Sequence, residues 1–599
     1  MEHGNVLNLF WLSKYYKIRT VMSTFKFVLL ALATLGVVSF SQQPTKFTAP
    51  DFADAIYYNG DIITMESDSA IYVETVAIKD GKIVFVGSKA EAEKLKGDST
   101  KMIDLQGKTL LPAFLDGHGH FYNVGFAASC ANLLPPPDGP GQNFTSIVNE
   151  LNSYKTTDDG KLMIQKFGWI IGNGYDDSQL AEKDHPKATD LDKVSTEIPI
   201  IIIHQSGHLA VVNSKAMELL GYNKNTKDPK GGTFRRNQDG TPNGVLEENA
   251  AFGVLFSVLA KTDAEMSDKF IQKGQKEYAK KGYLTAQDGR TTTEQMAALK
   301  SAADRGLFYL DVVSYPDITL GTECMNDAYY SAKHTYKNKY RIGGVKLTLD
   351  GSPQGKTAWL TQCYHVNPAG QDGCYSGYPV MSDSKADEYV ELAFKNKWQI
   401  LCHSNGDAAI DQYLKAVEDA EGKYNYPDHR TVIIHAQTLR KDQIPALVKL
   451  KVLPSLFPMH TYYWGDWHAE SVLGEPRAEY ISPCRDVIDA GLTITSHHDA
   501  PVTFPNSMRV LDATVNRVTR SGKILGPDQR ITPYEGLKTL TDWAAYQYFE
   551  ENTKGTLTAG KLADLVILDK NPLKINPMEI NKIKIVESIK EGHTVYNSN

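Results

Sequence analysis

The stretch that decides the fold runs WQILCHSNGD (398–407), TVIIHAQ (431–437), VLPSLFPMH (452–460) and LTITSHHDAP (492–501). Each segment is an apolar run of strand length that ends in polar residues. Helical-looking segments separate such runs, among them SKADEYVELAFKNK (384–397) and KDQIPALVKL (441–450). Strand then helix, repeated, predicts parallel strands joined by right-handed crossovers. The spacing is regular: His403 to His435 is 32 residues, one unit, and His435 to Asp499 is 64, two units.

Outward from that block, GGVKLTLDG (343–351), FYLDVVSY (308–315), GYLTAQDG (282–289) and TLLPAFLDGHGH (109–120) read the same way. Eight such units predict an α/β fold, a (β/α)8 TIM barrel over 112–545 whose chemistry sits at the carboxyl ends of the strands. One interval is too long. From His120 to Lys346 is 226 residues, more than three units need, which places an insertion at about 125–270. It contains FGWIIGNGYDD (167–177) and IPIIIIHQSGHLAVVNSKAMELLG (198–221), apolar enough to fold as a cap over the barrel mouth.

Composition sets the outer bounds. The 599 residues are 42% hydrophobic and 23% charged, ordinary globular values that exclude a disordered chain. Sixty-four basic against 71 acidic side chains give a net charge of -7, with no electrostatic footprint for nucleic acid. Lys26, the apolar run Phe27 to Phe40 and small residues Ser39 and Ser41 form the pattern of a secretory signal. The run is too short to span a membrane. Residues 1–43 are therefore expected to be a leader and signal peptide, with Met22 a second plausible start, and the protein to be exported, periplasmic or secreted. Six cysteines include no Cys-x-x-Cys pair, so a thiolate zinc site has no support. Cys363 and Cys374 flank a loop with Gly370 and Gly373, where a disulfide is conceivable.

The polar strand tips suggest a metal site. His118 and His120 stand one residue apart at a strand end, so both rings point to one face. Such a pair is by itself more often structural. His403 and His435 at two further tips, with Asp499 at a third, make a converging ligand set the better account. Lys346 lies inside an apolar strand, where a charged ammonium is costly to bury. Two readings stand: an ion pair with a carboxylate such as Asp350, or a neutral amine that takes up carbon dioxide as a carbamate able to bridge two metals.

In order along the chain, His-x-His, Lys, His, His and Asp resemble the amidohydrolase superfamily. The words LLPAFLDGHGH, GGVKLTLDG with KTAW (356–359), HSNGD, IIHAQ and DAPV (499–502) are similar to its YtcJ-type branch, which includes the N-substituted formamide deformylases. The tail KGTLTAGKLADLVILDKNP (554–572) resembles the segment that closes many members, and the resemblance covers about 52–599. It implies that His118, His120, Lys346, His403, His435 and Asp499 hold Zn2+ or another divalent metal, one or two ions. It also implies N6-carboxylysine at Lys346 and a catalytic role for Asp499 as base. Both chain ends, 52–111 and 546–599, are implied to form a small β-sandwich, in keeping with short apolar strands at Gly turns in DGKIVFVG and EGHTVYN. Two departures stand out: Pro112-Ala113 where the branch often has Pro-Gly, and His497-His498 where Gly-Ser is common.

The expected activity is hydrolysis of a carbon–nitrogen bond in a small-molecule amide, an N-substituted formamide being one candidate. Two alternatives are a lactone, ester or cyclic amide hydrolase on the same centre, and a catalytically silent binding barrel. A homodimer is allowed. His208, Trp169, Asp176 and His498 are candidate substrate contacts, and Tyr462, Tyr463, Trp464 and Trp467 a candidate pocket wall. Glu247 and Glu248 could mimic the paired acids of a glycosidase, but a solvated loop after DGTPNG is the expectation.

Overall fold

The computed structural model describes residues 52–598, apart from 331–333 and 369–370. The expected leader and signal segment lies outside the described residues. Among those described, no helix is long and apolar enough to cross a membrane.

All eight anticipated strands are present. They are β1 (Phe114–Leu115), β2 (Tyr283–Thr291), β3 (Asp311–Pro316), β4 (Gly344–Thr348), β5 (Gln399–Ser404), β6 (Val432–His435), β7 (Leu453–Leu456) and β8 (Thr495–Ser496). Within the runs β1 to β3 and β4 to β8, neighbours pair in parallel, as crossover connections require. The helix predicted at 384–397 runs Asp383–Asn396 and buries Ala386, Val390, Ala393 and Phe394. That i, i+4, i+7, i+8 stripe is the face a crossover helix lays on a sheet.

The hydrogen-bond ladder does not close into the expected barrel. It forms two parallel sheets, one of β1, β2, β3 and Tyr340–Ile342, the other of β4 to β8. The first break falls at Gly343, where the chain passes from Tyr340–Ile342 into β4. Its N–H still donates to Ser314 O, at 2.9 Å, but a Cβ there would come within 2.7 Å of Tyr315 and Val313. The second lies between β8 and β1, each only two residues long. There the Gln547 side chain stands in for backbone, donating to Gly117 O (2.9 Å) and accepting from Thr495 Oγ1 (2.8 Å).

A six-stranded sheet falls inside the predicted insertion, in the order Gly232–Arg236, Pro242–Glu248, Leu209–Val212, Ile200–His204, Ile170–Tyr175, Ala131–Asn132. The run IIII of Ile200–Ile203 is fully buried there. Residues 242–248 are a strand of this sheet and not the solvated loop expected after DGTPNG. Both chain ends meet in one continuous eight-stranded sheet, in which Thr109–Pro112 pairs with Ala55–Ile63 on one side and Leu565–Leu568 on the other. Sequence had suggested a sandwich of these segments. Cys363 and Cys374 form the disulfide considered above, with Cα atoms 5.2 Å apart.

Buried ion pairs collect at the amino ends of the strands. Arg341, fully buried, pairs with Glu550, and Lys554 and Lys590 share Asp311. The carboxyl ends have a different population.

Candidate metal centre

Strand-end geometry brings the six sequence-predicted ligands into one chain of contacts. Lys346 Nζ lies 3.0 Å from His118 Nε2. Asp499 Oδ1 is 3.4 Å from His118 Nε2 and 3.2 Å from His120 Nε2. Asp499 Oδ2 stands 4.0 Å from His435 Nε2, which is 3.1 Å from His403 Nδ1. Ligand atoms of His118, His120 and Asp499 all lie within 4.8 Å of one another, close enough to share an ion.

Each ring is oriented from behind. Gln287 Oε1 holds His118 Nδ1, and Gly289 O holds His120 Nδ1 at 2.6 Å, so both Nε2 atoms face Asp499. Fixing one imidazole nitrogen leaves the other free for a metal. Gly289 must be glycine, since a Cβ would sit 2.6 Å from the His118 ring. His435 and Asp499 both adopt positive φ, 74° and 50°, an uncommon backbone state typical of functional sites.

Electrostatics favour a cation. Burial pushes the imidazoles of His118, His403 and His435 well below the usual histidine range, with Lys346 the next cause for the first two and His403 for the third. They are therefore neutral, with lone pairs available. Burial likewise lowers Lys346 to about 7, offset in part by Asp499. Asp350 is not its ion-pair partner. That carboxylate instead accepts the backbone N–H groups of Asn405, Gly406 and Trp359, because the turn after β5 needs an acceptor there. The buried Nδ1 of His435 lacks a hydrogen-bond partner among the described residues, so no protein group competes for it. Neutral imidazoles, a carboxylate and an uncharged amine fit a divalent metal well.

The candidate substrate contacts fare differently. His208 is partly exposed, with Nδ1 2.9 Å from Glu248 Oε2, and Glu247 pairs with Arg235, so the two acids do not face each other as a catalytic pair. Trp169 is packed in the hydrophobic core. His498 is fully enclosed behind the ligands, its Nε2 3.3 Å from Asp116 Oδ1. Asp176 belongs to a second cluster, with Asp177 and His204. His204 Nε2 is 3.0 Å from Asp177 Oδ1 and 3.7 Å from Asp176 Oδ1. Burial alone would lower His204, but the hydrogen bonds of the two carboxylates outweigh it and raise it to about 9. The cluster is thus a buried ion triad. The aromatic run ties segments together: Trp464 Nε1 donates to Asp176 (3.2 Å) and Trp467 Nε1 to Gln354 O (3.1 Å).

Sequence reasoning missed Gln287, Gly289 and Asp116. The signal was present in AQDG and LDGHGH, whose other polar residues also stand at strand tips. His497 fills the space beneath the centre, 5.4 Å from the His118 ring and stacked on Phe457 at 4.8 Å.

Parallel strands carrying neutral imidazoles, a carboxylate and a depressed lysine at their carboxyl ends define a metal-dependent hydrolase. Residues 101–596 match the amidohydrolase family, and the chain belongs to that family. It is 23% identical to YtcJ of Bacillus subtilis, over 90% of this chain and 99% of that one. It is also 23% identical to the N-substituted formamide deformylase of Arthrobacter pascens, over 90% of this chain and 97% of that one. A metal-dependent hydrolase of Pyrococcus horikoshii, described as uncharacterized, shares the fold with a TM-score of 0.69 at 24% identity, covering 90% of this chain and 100% of that one. The protein is an enzyme, a metal-dependent amidohydrolase acting on a small molecule.

Proposed function

We propose that the protein hydrolyses the carbon–nitrogen bond of an amide, with an N-substituted formamide as the first substrate class to try. One observation carries this: six side chains of ligand type, drawn from five strands and the turns that follow them, form a single chain of contacts. The likeness to the formamide deformylase over nearly its whole length supports the choice of class.

His118, His120, Lys346, His403, His435 and Asp499 would hold the metal, and imidazole with carboxylate suits Zn2+. When bound, a divalent cation supplies a water acid enough to ionise near neutral pH and a charge that polarises a carbonyl. In this reading Asp499 accepts a proton from the attacking water and delivers it to the leaving nitrogen. The oxygen of water bonds to the carbonyl carbon, the C–N bond breaks, and an amine and a carboxylic acid leave. Lys346, with a substantial neutral fraction near pH 7, adds carbon dioxide to its amine and loses a proton, becoming an anionic ligand. Gln287 and Gly289 keep the two Nε2 atoms aimed.

The six-stranded sheet would serve as the cap and the two-ended sheet as a lateral domain beside the strands that hold the centre. Export is part of the proposal, and the disulfide Cys363–Cys374 suits an oxidising compartment.

The test is elemental analysis of the purified protein together with a panel of N-substituted formamides, cyclic amides, lactones and esters. Metal-dependent turnover of formamides is the expected result. Turnover of lactones or esters alone would move the activity to those carbonyls, and a metal-replete protein inert toward the whole panel would count against catalysis.

A further inference from the structure

We propose that Arg290 binds an anionic group of the substrate, so that the amide hydrolysed carries a carboxylate. This rests on the hydrolytic reading above and goes beyond it by naming the substrate's charge.

Arg290 lies at the carboxyl end of β2, directly after Gly289, whose carbonyl orients the ligand His120. Its side chain therefore starts one residue from the carbonyl that orients His120. The residue adopts φ of 56°, a left-handed conformation that is uncommon for a residue other than glycine.

Its anchor is a buried carboxylate. Arg290 Nε donates to Asp317 Oδ2 at 3.1 Å. The other Asp317 oxygen is already committed to Thr319, accepting from N at 2.9 Å and Oγ1 at 2.6 Å. Asp317 also bridges by backbone to Lys346, the next strand's ligand candidate. The two partners differ sharply in exposure, 57% for the Arg290 side chain against 9% for Asp317. An ordinary surface ion pair leaves both groups wet. Here the acid is fixed within the protein and the guanidinium projects from it, with no hydrogen bond to either Nη atom among the described residues.

A guanidinium held at Nε presents its two Nη atoms as a fork, and that fork matches the two oxygens of a carboxylate. Asp288, two positions earlier, does not compete for it, accepting instead from Tyr122 N and Thr291 Oγ1. An exposed guanidinium fixed at the carboxyl end of β2 favours an acidic ligand.

The experiment compares metal-loaded wild type, Arg290→Gln and Arg290→Lys on size-matched N-formyl compounds, one bearing a carboxylate and one its neutral carboxamide. Wild type should prefer the carboxylate by roughly 10- to 100-fold in kcat/KM, the range of hydrogen bonds to charged groups. Arg290→Gln should lose that preference through KM, with metal content unchanged. Arg290→Lys should retain part of it. Equal turnover of both compounds by wild type, or an equal loss on both in Arg290→Gln, would overturn the proposal while leaving amide hydrolysis intact. Calorimetric titration of N-acetylglycine and its amide into the same proteins reads recognition without turnover. Carboxylate-selective binding abolished in Arg290→Gln would support the anion site even if no amide were cleaved, and equal affinities would refute it.

Discussion

Lys346 Nζ and His118 Nε2 stand 3.0 Å apart although 228 positions separate them in sequence. Two basic groups that close cannot both be protonated, and burial settles the matter by lowering both. The lysine is thus poised to be a neutral amine, a nucleophile or, after capture of carbon dioxide, an anion. Lys346→Arg keeps a permanent charge at this point and should lose metal as fully as Lys346→Ala. Metal stoichiometry after dialysis measures it; retention of a full complement by Lys346→Arg would contradict the ligand role. Intact mass spectrometry of the native protein should show one added carbon dioxide.

Asp499 touches both histidines of the first strand end. Asp499→Asn preserves shape and removes the proton acceptor. Turnover should fall by on the order of 10²- to 10⁴-fold while metal remains bound. Undiminished turnover in this variant would show that another group accepts the proton.

Gln287 acts behind the ligands. Its Oε1 fixes His118 Nδ1 while its Nε2 donates to Tyr548 Oη at 2.7 Å. Gln287→Leu should leave the fold in place yet weaken metal affinity by roughly 10- to 100-fold, the usual effect of losing such a support. Competition with a chromophoric chelator reads that change. An unaltered affinity would mean that packing alone orients His118.

The ion triad of Asp176, Asp177 and His204 predicts a pH dependence of stability. His204 is raised from 6.5 unfolded to about 9 folded. Its contribution is complete below pH 6.5 and is lost as pH rises toward 9. Burial works against ionisation of the two aspartates, but His204 outweighs it and depresses both, so theirs is present above the ordinary carboxylate value and lost in acid. His204→Gln should be less stable than wild type at pH 6 by on the order of 2 kcal/mol, with the gap closing by pH 9. Thermal unfolding across that range decides it, and a constant gap would assign the loss to packing.

Much of the strand order was legible because each strand lies in an apolar run with a polar tip, a local pattern that survives translation into structure. WQILCHSNGD and TVIIHAQ became β5 and β6 with their histidines at or beside the last paired residue. Closure was not legible. Whether β8 meets β1 through backbone or through Gln547 depends on a side chain some fifty positions downstream, and no periodicity in either strand encodes it. The Lys346 and Asp350 pairing failed for a similar reason. Nearness along the chain suggested an ion pair, but the turn after β5 had prior need of that carboxylate for its backbone donors.

By itself the sequence determined which residue types stand at the strand ends and in what order, because alternation and spacing are properties of the chain. Only the tertiary structure decided how those ends face one another and which nitrogen of each histidine is free. It alone set which basic groups are buried, as Lys346 is, and which, like Arg290, stand exposed beside an acid. Such properties depend on desolvation and on partners hundreds of positions away, and burial exists only once the chain has folded.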